Sequence, residues 1–280
     1  MNDSGAGVTP EAWRPHNDRM LPSVSFGART DIGGHRELNE DAVFAALPVF
    51  AVADGMGGHA AGEVAAGLAI DQLARLADLP EVHPEDVLRV VDDANAAIMA
   101  YEIDRAETIG MGTTLSGICL GWVGGTAHWF VFNVGDSRVY QYASGVLRQV
   151  TTDHSEVAEL MAAGRITAEQ AKHHPLRNVI TRSLGTEPPP APDMWVLPVV
   201  EGERFLICSD GLTLEVPEDQ LGELLGRGST AQDTADLLVH TAVAAGGRDN
   251  VSVVVVDIER SDARQPVDVT TSPRGHLGGA

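Results

Sequence analysis

Val49-Phe50-Ala51-Val52-Ala53-Asp54-Gly55-Met56-Gly57-Gly58-His59 sets an unbroken apolar run against a carboxylate and then a string of glycines. A short apolar run bounded by turn residues reads as a buried strand, so Asp54 is expected at a strand tip beside exposed backbone. The glycines let the chain turn tightly, so that the Gly55 carbonyl can face the same ion as Asp54. Oxygen donors of this kind suit Mg²⁺ or Mn²⁺. The device recurs far along the chain. Asp210 follows Phe205 to Cys208 and precedes Gly211, Asp136 sits in Gly135-Asp136-Ser137-Arg138 between two strand-like runs, and Asp249 stands just before Val251 to Val256. Glu40 with Asp41 marks a further junction. A single Asp-Gly pair is most often only a turn. Carboxylates this distant in sequence meet only through tertiary structure, and their combination points to a folded cage for hard cations.

Strand-like runs occupy Val24 to Arg29, Ala42 to Ala46, Val49 to Ala53, Thr113 to Val123, His128 to Val134, Arg138 to Tyr142, Val146 to Val150, Met194 to Val199, Arg204 to Cys208 and Val251 to Ile258. Many are joined by short turns, which favours antiparallel pairing. Helices are expected from about Ala60 to Ala77, carrying Val64, Leu68, Leu73 and Leu76, and from Thr230 to Ala245. Between them Val87, Val91, Ala94, Ile98 and Tyr101 form one apolar stripe fit to lie on a sheet. Strands mostly out of strict βαβ order, with helices to cover them, define an α+β fold. Residues 1–22 and 260–280 are rich in Gly, Pro, Ser, Thr and charge and read as loose tails around one domain, 23–259.

Composition removes several function classes. The chain has 280 residues and a formal charge of −21, which repels phosphate backbones and anionic lipid, so neither nucleic acid nor membrane is expected as a partner. No run approaches a spanning helix and the polar start lacks a secretory core, so a cytoplasmic location is expected. Cys119 and Cys208 lie in apolar runs and read as buried, reduced thiols. A cysteine-phosphatase loop needs an arginine six positions on, where Gly125 and Leu214 stand. Lys172 is the only lysine, and no Gly-Lys-Ser/Thr sequence exists, which excludes a Walker-type phosphate loop. Gly55 to Ala60 satisfies a relaxed dinucleotide fingerprint, but Asp54 would set a carboxylate against the pyrophosphate and the repeated βαβ units are missing.

Any phosphate handled by so acidic a chain needs local positive charge. Arg36, four residues before Glu40, offers a guanidinium fork that grips phosphate oxygens bidentately; its bland alternative is an ordinary ion pair with Glu37 or Glu40. His59 is either a proton donor to a leaving group or a solvated helix cap. Residues 155–192 hold short helical pieces, with Thr167 and Gln170 as a capping box and Gly164 as a helix stop, before Pro188, Pro189 and Pro190. This stretch reads equally as a substrate-facing flap or a surface insertion.

In order along the chain stand Arg36 to Asp41, VADGMGGHAAGEVAAG (52–67), GMGTTLSG (110–117), NVGDSR (133–138), ICSDGLT (207–213) and GGRDNVSVVVV (246–256). The set resembles the metal-dependent protein serine/threonine phosphatases of type 2C, particularly their bacterial members, and HPLRNVITRSLG (174–185) resembles the bacterial flap. The resemblance implies a four-layer αββα sandwich, two antiparallel sheets flanked by helices, with a dinuclear Mg²⁺ or Mn²⁺ centre at one end. By that likeness Asp54 bridges two ions, the Gly55 carbonyl binds the first, and Asp210 and Asp249 bind the second. Glu40 and Asp41 hold metal-bound water, Asp136 joins Asp210 at a third, weaker ion, and Arg36 holds the substrate phosphate. A pair of such ions yields a bridging hydroxide for attack on phosphoserine or phosphothreonine. Many eukaryotic relatives carry histidine where this chain has Met56, which passes the acid role to His59 or to metal-bound water. The implied partners are phosphorylated proteins, either substrates of bacterial Ser/Thr kinases or the kinases themselves, met by a monomer. The rival reading is a catalytically silent phosphoprotein-binding module of the same fold, although such modules usually lose ligands and none is lost here.

Overall fold

Alternation along each strand assigns its residues to opposite faces of a sheet, and in this chain both faces are apolar. In the strand Val49–Met56, Val49, Ala51 and Ala53 pack into one cluster while Phe50 and Val52 pack into another. Such a strand must be covered on both sides, and the fold supplies a helix layer on one and a second sheet on the other. The computed structural model describes residues 22–57, 61–103, 105, 108 and 110–259. The tails expected at 1–22 and 260–280 lie, apart from Pro22, outside the described residues.

The strands are β1 (Val24–Asp31), β2 (Asp41–Ala46), β3 (Val49–Met56), β4 (Gly112–Thr113), β5 (Leu115–Val123), β6 (Thr126–Val134), β7 (Arg138–Ala143), β8 (Val146–Gln149), β9 (Asp193–Pro198), β10 (Arg204–Cys208) and β11 (Val251–Ile258). One sheet runs β1-β11-β10-β7-β8, and the other runs β2-β3-β5-β6-β9 with β4 attached to β3. The strand pairings are antiparallel, as the short turns imply. Helices α1 (Ala61–Ala74) and α2 (Pro84–Glu102) cover the β3 sheet. Helices α5 (Asp210–Glu215), α6 (Glu218–Leu225) and α7 (Ala231–Ala245) cover the β11 sheet. The architecture is therefore an αββα sandwich. Between β8 and β9 lie the short α3 (Glu156–Ala162) and α4 (Ala168–Lys172).

The centre is an aromatic stack between the sheets. Phe26 and Phe50 centroids stand 5.1 Å apart, Phe50 and Trp129 6.3 Å, and Trp129 and Phe205 5.9 Å, all tilted as ring quadrupoles prefer. Helix α2 buries Val87, Val91, Ala94 and Ile98, the stripe expected of it. Helix α1 ends at Ala74, short of the expected Ala77, and a 3₁₀ turn, Arg75–Asp78, follows it; Leu73 and Leu76 are buried, but the rest of the fully buried face of α1 is small, Ala61, Gly62, Ala65, Ala66 and Ala69, while Val64 and Leu68 are only partly covered. Close approach is the reason. A Cβ on Gly55 would stand 2.1 Å from the Gly62 carbonyl oxygen, so the first turn of α1 rests directly on the end of β3.

Candidate metal and phosphate site

The layer between the sheets changes character along the strands. After the aromatic stack come Thr114, Ser116, Asn133, Ser137, Ser209 and Ser252, all buried, and beyond them the carboxylates. The period of two places them there: Asp54 continues the inner face of Phe50 and Val52, and Asp41 that of Val43 and Ala45. Asp41 and Asp54 are direct partners in the β2–β3 register. Asp210 opens α5 after β10, Asp136 lies between β6 and β7, and Asp249 precedes β11, so strand ends and the connections beside them deliver the whole set.

Polar contacts hold each carrier in place. The Asp54 carbonyl accepts from Thr114 N at 2.9 Å and Thr113 Oγ1 at 3.0 Å, and Asp54 N donates to Thr114 Oγ1 at 2.9 Å. Ser209 Oγ donates to Asp41 Oδ2 at 2.8 Å. The Glu40 carbonyl accepts from Gly55 N at 3.1 Å. Strand β3 runs on to Met56, so Asp54 lies just inside the strand end, with Gly55 and Met56 paired to β4.

The cleft is electrostatically strained. Burial, opposed by hydrogen bonds from Ser252 and Ser209 and reinforced by Asp210 and Asp249, pushes the Asp41 carboxyl up to about 7. Burial and repulsion from Asp210 push Asp136 up to about 7 as well. Asp54 is raised well above the usual range by burial and by Asp41, Asp210, Asp136 and Asp249, and Asp210 is raised by burial and Asp249. In each case burial is the largest cause, and repulsion from neighbouring carboxylates adds to it. Two carboxylate oxygens, Asp41 Oδ1 and Asp136 Oδ1, are buried with no hydrogen-bond partner. An unpartnered buried anionic oxygen is costly, and a cation satisfies it.

The donor set fits a hard divalent ion: carboxylates, the Gly55 carbonyl, and neither thiol. Among the described residues no three acidic, histidine or cysteine side chains close into a finished ligand cluster. Mg²⁺ keeps several of its waters and is seldom enclosed by protein ligands alone, so an open carboxylate cleft suits it better than a closed cage does.

Arg36 stands at the rim, and its partner is neither Glu37 nor Glu40. Nη2 donates to Asp249 Oδ2 at 2.8 Å, with the side chain 48% exposed. Glycines bring the two loops together: Gly34 N donates to the Gly247 carbonyl at 2.7 Å, and a Cβ on Gly33 would stand 2.3 Å from the Asp249 carbonyl oxygen. Asn250 locks the arrangement. Its Nδ2 donates to the carbonyls of Ile32 at 3.0 Å and Leu38 at 2.9 Å, and its Oδ1 accepts from Glu40 N at 2.9 Å. Glu215, at the end of α5, accepts from Arg248 N at 3.0 Å and Nε at 2.8 Å, tying the Asp249 loop to the helix that starts with Asp210. Asn250 and Glu215 carry no sequence signal beyond adjacency to Asp249 and a place in a short helix.

Residues 155–192 tie back to the strand that borders Gly55. Ser155 pairs with Ile180, and Leu184 exchanges hydrogen bonds with Thr113 at 2.9 and 3.2 Å, so the segment returns to β4 beside Gly55. The Thr167–Gln170 capping box is present, and Gly164, at φ +66°, closes α3. Of the expected site residues, Arg36, Glu40, Asp41, Asp54, Gly55, Asp136, Asp210 and Asp249 all lie at this end. His59 lies outside the described residues.

The sequence matches the protein phosphatase 2C model over residues 35–244, and the chain belongs to that family. It is 39% identical over 240 residues to the serine/threonine phosphatase stp of Listeria monocytogenes, covering 82% of this chain and 94% of that protein. It is 41% identical over 252 residues to the serine/threonine protein phosphatase PstP of Mycobacterium tuberculosis, covering 88% of this chain but 47% of that longer protein. The fold superposes on a crystal structure of the M. tuberculosis enzyme with TM-score 0.76 at 40% identity, over 85% of this chain and 99% of that one. A PstP catalytic domain solved in complex with 2 manganese ions gives TM-score 0.77 at 37% identity, over 85% of this chain and 99% of that one.

Proposed function

We propose that this chain hydrolyses phosphoserine and phosphothreonine monoesters on proteins in a divalent-metal-dependent reaction, reversing Ser/Thr kinase signalling in a bacterial cell. The observation that carries the reading is the convergence of Asp41, Asp54, Asp136, Asp210 and Asp249 on one cleft, where the carboxyls of Asp41, Asp54, Asp136 and Asp210 are raised by burial and mutual repulsion. Asp54 and the Gly55 carbonyl would hold one Mg²⁺ or Mn²⁺. Asp54, Asp210 and Asp249 would hold a second, and Asp136 with Asp210 a third, weaker one. When bound, such ions supply Lewis acidity and make water acidic enough to attack phosphorus near neutral pH.

The residues supply the rest. Arg36 is the rim cation that Asp249 already orients, and its free guanidinium edge would hold two phosphate oxygens. Glu40 and Asp41 would orient the attacking water for in-line displacement, with the unpartnered Asp41 Oδ1 taking up its proton. His59 would donate a proton to the departing serine or threonine oxygen, since Met56 cannot. Substrates would be phosphoproteins, since the net charge of −21 disfavours polyanions and leaves phosphate capture to Arg36 and the ions.

Hydrolysis of p-nitrophenyl phosphate and of a phosphothreonine peptide with excess Mn²⁺ tests the reading. Turnover is expected in wild type, lost on chelation and lost in Asp210→Asn. A folded wild-type protein inert toward both would overturn it and leave the silent binding module.

A further inference from the structure

One buried histidine joins two parts of the cleft that lie far apart along the chain. His154 is 4% exposed. Its Nδ1 accepts from Gly135 N at 3.1 Å, and its own backbone N donates at 2.9 Å to the Gly135 carbonyl, which also accepts from Asn133 Nδ2 at 3.0 Å, so the imidazole is the side chain that holds Gly135 N. A backbone N–H only donates, so Nδ1 is unprotonated and the ring proton sits on Nε2, 3.1 Å from Asp193 Oδ2. Arg182 Nη1 donates to the other oxygen of Asp193 at 2.9 Å. The 3.3 Å approach of Arg182 Nη1 to His154 Nε2 is therefore two donors meeting at one carboxylate.

Gly135 precedes Asp136, whose Oδ1 is buried and unpartnered. Its φ is +108°, and a Cβ would stand 2.5 Å from Thr114 Cγ2, so only glycine fits and its peptide must be fixed from outside. On its other side His154 closes the stem of the 155–192 segment. Its carbonyl accepts from Thr181 N at 2.8 Å, and the next residue, Ser155, bridges to Ile180.

We propose that His154 is a positioning residue that sets Asp136 for a metal ion through the Gly135 peptide and, by closing the segment stem, couples the 155–192 flap to occupancy of that position. The inference rests on the reading of Asp136 as a ligand. Coupling of this kind is reciprocal: an ion at Asp136 steadies the flap, and a steadied flap tightens the ion.

Conservative variants separate the two ring nitrogens. His154→Asn keeps an acceptor where Nδ1 stands, whereas His154→Gln keeps only a donor to Asp193. Mn²⁺ titrations by calorimetry, with Asp136→Asn marking which ion depends on that carboxylate, should show that ion bound roughly tenfold or more weakly in His154→Gln and within about threefold of wild type in His154→Asn. The Asp54-dependent ions should bind equally in all. A second readout needs no turnover. Lys172 is the only lysine and sits in the flap at the end of α4, so a lysine-specific endoprotease cuts the whole chain at one place. Mn²⁺ should slow that cut in wild type and His154→Asn and leave it unchanged in His154→Gln.

Wild-type affinity in His154→Gln, or a cut indifferent to Mn²⁺ in wild type, would overturn the proposal. Asp54-dependent binding without any Asp136-dependent ion would overturn this proposal alone. No Mn²⁺ binding at all would overturn the metal reading on which it stands.

Discussion

Replacing Asn250 by alanine should damage stability and the phosphate rim together, because one amide holds the loop that bears both Arg36 and Glu40. The side chain makes three hydrogen bonds, to Ile32 O, Leu38 O and Glu40 N, and the residue is 4% exposed. At about 1 kcal/mol net each, the three come to ~3 kcal/mol. Ile32 and Leu38 are 37% and 46% exposed, so water would reach part of the opened loop and reduce the loss toward ~2 kcal/mol. Urea denaturation reads this directly, and melting should fall by roughly 2–4 °C for each kcal/mol in a domain of this size. KM for a phosphothreonine peptide should rise as Arg36 loses its fixed position. Asn250→Asp is the sharper control: it keeps an acceptor for Glu40 N but turns a carboxylate oxygen toward two carbonyls, and it should be at least as harmful. An alanine variant within about 0.5 kcal/mol of wild type, with KM unchanged, would refute the view that Asn250 holds this loop.

Arg204 bonds Asp257, Thr234 Oγ1 and the carbonyls of Leu225 and Ser229, with its side chain 11% exposed, at the far end of β10 from Asp210. Arg204→Ala should cost about 3–5 kcal/mol in urea denaturation and leave kcat/KM unchanged where the variant is folded. Arg36→Lys loses the planar fork, and a charged hydrogen bond of about 1.5–3 kcal/mol should appear as a roughly tenfold or greater rise in KM, with kcat less affected. In chelator the folded carboxyls of Asp41 and Asp136 titrate near 7, above the 3.8 of free aspartate, so the folded state binds the extra protons. Stability in chelator should therefore fall as pH rises through 7 and recover as pH drops toward 5. Scanning fluorimetry should show a higher melting temperature at pH 5.5 than at pH 8 with chelator, and a Mn²⁺ stabilisation that is larger at pH 8. The opposite order would contradict the electrostatic account.

Much of this was legible in the sequence because strands with two covered faces leave a strong apolar signal: nine of the ten expected runs are single strands, and the tenth, Thr113 to Val123, breaks at Thr114 into β4 and β5. The carboxylates were legible because they end or begin those runs. Short elements were not: β4 is Gly112–Thr113 only, and α5 hides behind an Asp-Gly pair that reads as a turn. The small residues on the buried face of α1 leave no apolar signal of their own, because their burial follows from close packing on Gly55. The partner of Arg36 proved to be Asp249, 213 residues away, and Asn250, Glu215 and His154 act on segments equally remote or unmarked. Local periodicity says nothing about such contacts, since tertiary pairing alone creates them.

Diffraction from crystals grown in Mn²⁺, recorded at the manganese absorption edge, tests the central claim most directly. The account predicts two anomalous peaks about 3.5–4 Å apart, with Asp54 between them and Asp210 and Asp249 on one, and a weaker third peak at Asp136 and Asp210. Peaks lying away from these side chains, or none at saturating Mn²⁺, would contradict it.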